Sequence, residues 1–290
     1  MTTPVTVARH VDRVRTKAMG GPTEQVDKNA LIIAPDDVRK TDPFLLMAED
    51  WFSEPGFEWH PHRGIETVTV VLDGVLEHGD SLGHAGALEP GDIQWMTAGS
   101  GIIHRELAFR NEHAHTLQLW LNLPTDKRMV QTRYQDMRQE NQAKIEAPGV
   151  LVRVVSGAAG EVSGPAENHW PITGLMVTLE PGSTYAPVLA PEDRAFAYVI
   201  EGKATIAGQP VTAGQVAWSD PMDVTEPTSL ELTGSDPEQR TTVMVFSGKP
   251  IRESIVFGGP FVMSTRAEVE QAYVDFRRGK FGPIPRLARL

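Results

Sequence analysis

Apolar and polar positions alternate with a period of two along most of this chain. The sharpest stretch is Thr116-Leu117-Gln118-Leu119-Trp120-Leu121-Asn122-Leu123, where every second side chain is a leucine. Successive side chains of a β-strand point to opposite faces, so such a run predicts a strand with one face buried. Thr67–Leu72 reads as another strand, closed by the turn signal Asp73-Gly74. Glu89-Pro90-Gly91-Asp92 predicts a turn into the strand Ile93-Gln94-Trp95-Met96. Nearer the start, Val5–Ala8 and Leu31–Ala34 read as strands on either side of the Gly20-Gly21-Pro22 break.

The pattern then repeats. Phe196–Ile200 ends at Glu201-Gly202 as the earlier strand ends at Asp73-Gly74, and Ala213-Gly214-Gln215-Val216-Ala217-Trp218 echoes Pro90-Gly91-Asp92-Ile93-Gln94-Trp95. A diverged internal duplication of two small β-barrels or jelly rolls accounts for this. Polar and charged residues at 125–147 predict a linker between them, which divides the chain into an N-terminal domain over 1–135 and a C-terminal domain over 136–290. A helix is expected only near the end. Thr265 and Glu268 form a capping-box pair, Val269, Ala272, Tyr273 and Phe276 give the i, i+3, i+4, i+7 stripe, and Gly279 marks the stop. The fold class is all-β with a C-terminal helix, packed against a barrel.

Composition narrows the chemistry. There is no cysteine, which excludes disulfides, thiolate metal sites and cysteine nucleophiles. A net charge of −11 argues against nucleic acid and anionic membranes as direct partners. No apolar run of membrane-spanning length occurs, and the first residues lack a signal-peptide core, so a cytoplasmic location is expected.

Against that background, two short motifs carry the candidate chemistry. His60-Pro61-His62 and His104-Arg105-Glu106 each place metal-ligating residues two apart, on one face of a strand. On neighbouring strands the four converge on one point. Three imidazoles and a carboxylate suit iron, manganese, nickel or copper; a closed tetrahedral zinc site is the structural alternative. Glu66 has the parity of His60 and His62 and competes with Glu106 for the carboxylate position, unless Arg63-Gly64 breaks the register. Otherwise it serves as a nearby acid–base group. His78 and Asp80 are candidates for the mouth of the site, and Phe57, Trp95, Met96 and the glycine-rich 98–101 segment for its apolar rim. His10, His113, His115 and His169 read as surface or structural histidines.

These motifs, with Leu76-Glu77-His78-Gly79-Asp80-Ser81-Leu82-Gly83, Gln94–Gly101 and Phe257-Gly258-Gly259-Pro260-Phe261-Val262-Met263, resemble the pirin family of the cupin superfamily. The resemblance implies two cupin barrels and one iron per chain, held in the first by His60, His62, His104 and Glu106. Around Tyr185–Glu192 the second barrel has no histidine. Arg105 stands where the family usually has a small residue, on the strand face turned away from the metal. The resemblance further implies a dioxygenase that cleaves quercetin-type flavonols with release of carbon monoxide, with Glu106 or Glu66 taking the substrate's proton. The alternative is a non-catalytic, redox-responsive iron protein that binds a transcriptional or metabolic partner.

Overall fold

A computed structural model describes residues 6–53 and 56–284. The described residues form two compact units, one within residues 18–140 and 251–284 and the other of residues 6–17 with 141–250. Each carries a seven-stranded and a four-stranded sheet. In the first unit the larger sheet runs Arg133–Met137, Ile93–Thr97, Ile65–Gly74, Ala114–Asn122, Phe44–Phe52, Lys28–Ile33, Ala18–Gly20. Its smaller sheet runs Phe57–His62, Ile102–Ala108, Leu76–Asp80, Ala85–Leu88. The second unit repeats this order. Its larger sheet has Arg194–Glu201, Thr241–Gly248 and Ile172–Leu179 near the middle, and its smaller one has Thr184–Tyr185, Leu232–Gly234, Lys203–Ile206 and Gln209–Thr212. The duplication in the sequence is thus a duplication of sheet topology.

The units do not meet at a cut between 135 and 136. Arg13–Thr16 pairs with Gln215–Ser219 and so completes the second unit's sheet, while the C-terminal helix belongs to the first unit. The polar 125–147 stretch does contain the passage from one unit to the other, at 140/141, and it is itself structured. It supplies the edge strands Arg133–Met137 and Ala143–Ala147. Edge strands have only one hydrogen-bonded neighbour and tolerate polar side chains, which disguises them in a hydrophobicity pattern. Of the Val5–Ala8 reading, Val7–Ala8 is a strand; Val5 lies outside the described residues.

The helix forms as its pattern predicts, over Arg266–Arg277. Thr265 accepts from the Glu268 backbone N–H, and the Glu268 carboxylate accepts from the Thr265 N–H, closing the capping box. Val269 and Ala272 are buried on the stripe.

Both faces of the first unit's larger sheet are buried, and they differ. Val68, Val70, Trp95, Leu117, Leu119 and Leu121 lie on one face; Thr67, Thr69, Gln94 and Thr116 lie on the other, with Gln118 and Trp120 half-buried among them. The second face looks into the barrel. Its polarity marks the interior as a site rather than a core.

Candidate metal centre

The strand Phe57–His62 lies antiparallel to Ile102–Ala108, with His60 opposite His104 and His62 opposite Ile102. The strand period then brings the three imidazoles to one side of the smaller sheet. Their ring centroids are 4.3 Å (His60–His104), 4.9 Å (His60–His62) and 5.0 Å (His62–His104) apart. One nitrogen from each lies within 4.8 Å of the others. Among the described residues this is the only such group of three or more histidine or acidic side chains.

The outer nitrogens of two rings are pinned. His60 Nδ1 donates to the Glu58 carbonyl at 2.7 Å, and His62 Nδ1 donates to the Pro260 carbonyl at 3.3 Å. A carbonyl only accepts, so each Nδ1 carries a proton and each Nε2 is the nitrogen left to face the centre. His104 is buried, and neither of its ring nitrogens has a protein partner. Leaving one buried polar atom unpaired costs about 1–3 kcal/mol. Burial, then the neighbouring imidazoles, hold His62 and His104 well below the usual histidine pKa. Both are neutral at pH 7, the form that ligates. A donor set of three converging imidazoles, one with both of its buried ring nitrogens unpartnered, fits a first-row transition metal.

Glu106 faces the same interior but is not in the group of three. Its carboxylate accepts from Gln118 Nε2 at 2.8 and 3.1 Å and from Thr69 Oγ1 at 3.2 Å. The pairing with Phe57–His62 shifts register between His104 and Glu106 and sets Glu106 opposite Phe57, whereas the pairing with Leu76–Asp80 runs unbroken, so Glu106 keeps the face of His104. Glu66 is turned away. It lies on the face of its strand opposite Thr67 and Thr69, where it accepts from Thr97 Oγ1 at 2.7 Å. Gly64, at φ +82°, breaks the strand between His62 and Ile65 and with it the shared parity.

Of the other expected residues, His78 and Asp80 are buried inside the barrel beside Glu106 and His104, not at a solvated mouth. His78 Nε2 contacts Asp136 Oδ2 at 3.2 Å, and its ring stacks on Tyr134. Asp80 caps its turn through the Leu82 and His84 N–H groups. Arg105 points away from the histidines, to the Glu77 carboxylate and over the Trp59 ring. Trp95 and Met96 are fully buried, and Phe57 packs on the Phe52 and Val71 cluster, so none forms a rim. His113 and His115 pair with Asp73 and Glu49, and His10 with Asp12. Gln118 and Thr69 were not apparent from sequence because they occupy the polar positions of alternating strands, which read as solvent-facing.

Fold and site together define a two-cupin protein with a trihistidine centre in one barrel. The chain belongs to the pirin family: the pirin family model matches residues 23–121, and that of the pirin C-terminal cupin domain matches 174–282. It is 38% identical to human pirin, with 85% of each chain covered. A Pseudomonas aeruginosa protein provisionally named a quercetin 2,3-dioxygenase is 37% identical over 91% of this chain and 90% of its own. The crystal structure of an Acinetobacter baumannii quercetin 2,3-dioxygenase superposes with a TM-score of 0.85 at 28% identity, covering 96% of this chain and all of that one.

Proposed function

We propose that this chain is an iron-dependent dioxygenase that opens the oxygen-bearing ring of a quercetin-type flavonol and releases carbon monoxide. The metal ligands in this reading are His60, His62 and His104, completed by Glu106. Manganese, nickel, copper or zinc would be held by the same donors. The observation that carries the reading is His104, buried with both ring nitrogens unpartnered beside two histidines whose Nδ1 atoms are already engaged. A metal held by these residues would supply Lewis-acid and redox chemistry for the reaction with dioxygen. The named quercetin dioxygenase among the structural neighbours supports the substrate class.

The chain's own residues have the remaining tasks. Glu106 takes the proton of the flavonol 3-hydroxyl, and Gln118 and Thr69 hold its carboxylate towards the interior. Trp120, whose ring meets His62 edge-on at 5.1 Å, gives the interior an apolar wall for an aromatic substrate. Burial of His62, His104 and Glu106 keeps water from competing.

The test is oxygen uptake and carbon monoxide release from quercetin by iron-loaded protein. The expected result is release with one iron per chain, abolished in His104→Ala and His62→Ala together with the iron. Equal turnover by metal-free protein overturns the metal reading. Stoichiometric iron without turnover overturns the enzyme reading and leaves an iron-dependent binding protein.

A further inference from the structure

The acceptor that fixes His62 comes from far along the chain. Pro260 sits in the turn of the hairpin Val256–Gly258/Phe261–Met263, 198 residues after His62. His60, by contrast, is pinned by Glu58, two residues away. The hairpin is seated directly across the loop that follows His62. Arg63 bridges to Phe261, the Val262 N–H donates to the Arg63 carbonyl at 3.1 Å, and a side chain at Gly64 would lie 2.0 Å from the Val262 carbonyl oxygen.

The helix Arg266–Arg277 holds this seat from both sides. Tyr273 Oη donates to the Gly258 carbonyl at 3.0 Å, and the Tyr273 ring meets Phe261 edge-on at 4.8 Å. Asp275 accepts from Arg63 Nη1 at 3.0 Å, and also from Gln271 Nε2 and Lys280 Nζ at 2.8 Å each. The Arg63 guanidinium is further held by the Ser100 carbonyl at 2.8 Å and lies over the Phe281 ring at 4.5 Å. Arg63 is the residue next to His62, and both are buried.

We infer that the C-terminal hairpin and helix are a working part of the metal centre. Tyr273 and Asp275 are positioning residues that set the His62 ring through the Pro260 carbonyl and through Arg63, so metal affinity depends on how the helix is seated. The inference rests on the metal reading above. Its physical basis is that an acceptor on a ligand's second nitrogen fixes tautomer and orientation, and its loss costs 10–100-fold in metal affinity in general.

The experiment titrates cobalt(II) into full-length, chelator-stripped protein against a competing chelator, and records the visible cobalt spectrum and the thermal unfolding of each metal-free form. Tyr273→Phe, Asp275→Asn and Asp275→Glu are compared with wild type and His104→Ala. Tyr273→Phe and Asp275→Asn are expected to weaken cobalt binding about tenfold with an altered spectrum, and Asp275→Glu to recover most of the affinity. Variants that unfold at a lower temperature yet bind cobalt with wild-type affinity and spectrum give the segment a structural role only and overturn the inference. Wild-type protein that binds no better than His104→Ala overturns the metal reading, and the inference with it.

Discussion

Asp50 offers the most quantitative test of the barrel interior. It lies on the strand Phe44–Phe52, opposite Thr116, and is only 7% exposed. Burial, then the negative charges of Glu106 and Glu49, raise its carboxyl from 3.8 to about 7. The folded chain therefore keeps a proton that the unfolded chain releases near 3.8. Between those two values the native state binds more protons, so stability falls as pH rises, and the loss is complete above the folded value. The whole penalty is about 4 kcal/mol, of which about 1.5 kcal/mol is incurred by pH 5 and about 2.5 kcal/mol between pH 5 and pH 8. Asp50→Asn removes the titration while keeping size and polarity. Urea unfolding of chelator-treated protein should then show the variant gaining about 2–3 kcal/mol over wild type on going from pH 5 to pH 8. Chelation matters because a cation at the histidines would offset the charge of Glu106. A difference between the two proteins that stays constant within about 0.5 kcal/mol across that range would refute the assignment of a protonated buried aspartate.

Two further substitutions probe the site and its wall. Arg105→Ala leaves the Glu77 carboxylate buried without its guanidinium, and should cost about 3–5 kcal/mol in urea unfolding at pH 7; a loss under about 1 kcal/mol would show that Glu77 finds water instead. Glu106→Gln should weaken metal binding tenfold or more in a chelator competition and abolish flavonol turnover. Lost turnover with unchanged metal affinity would leave Glu106 the proton-accepting role alone.

The parts of this molecule legible in its sequence were those governed by local periodicity. The alternation over 116–123 gave a strand because both faces are buried and only one is apolar, and the helix announced itself through Thr265, Glu268 and the Val269–Phe276 stripe. His60, His62 and His104 were visible because two short strand segments each obey the period of two. Glu66 was misplaced by the same rule, since Gly64 resets the parity within two residues. The register shift before Glu106, and the hold of Gln118 and Thr69 on its carboxylate, depend on strand pairings that no single segment encodes. Pro260 is a still more distant case: its carbonyl matters only because the hairpin closes on Arg63.

The two units show why the metal centre is a property of interior side chains rather than of the barrel. Their sheet orders correspond strand for strand, so Thr184–Tyr185 stands where Phe57–His62 stands, and Leu232–Gly234 where Ile102–Ala108 stands. The second unit fills its core with Val154, Leu175, Val177, Ala197, Leu232, Val243, Val245 and their neighbours, all buried in one cluster. An aliphatic interior of that kind leaves no donor for a metal and gains stability from every methylene it buries. The first unit instead buries His62, His104, Glu106, His78, Asp80 and Asp50 inside its barrel, with His60 half-buried beside them, and burying ionisable groups is costly unless partners or a cation compensate. Its Arg63–Asp275 pair and the returning hairpin draw the chain's end onto the unit that carries this load. Barrels of the same topology therefore differ inside: one is packed with aliphatic side chains, and the other bears the cost of a polar interior gathered around the three histidines.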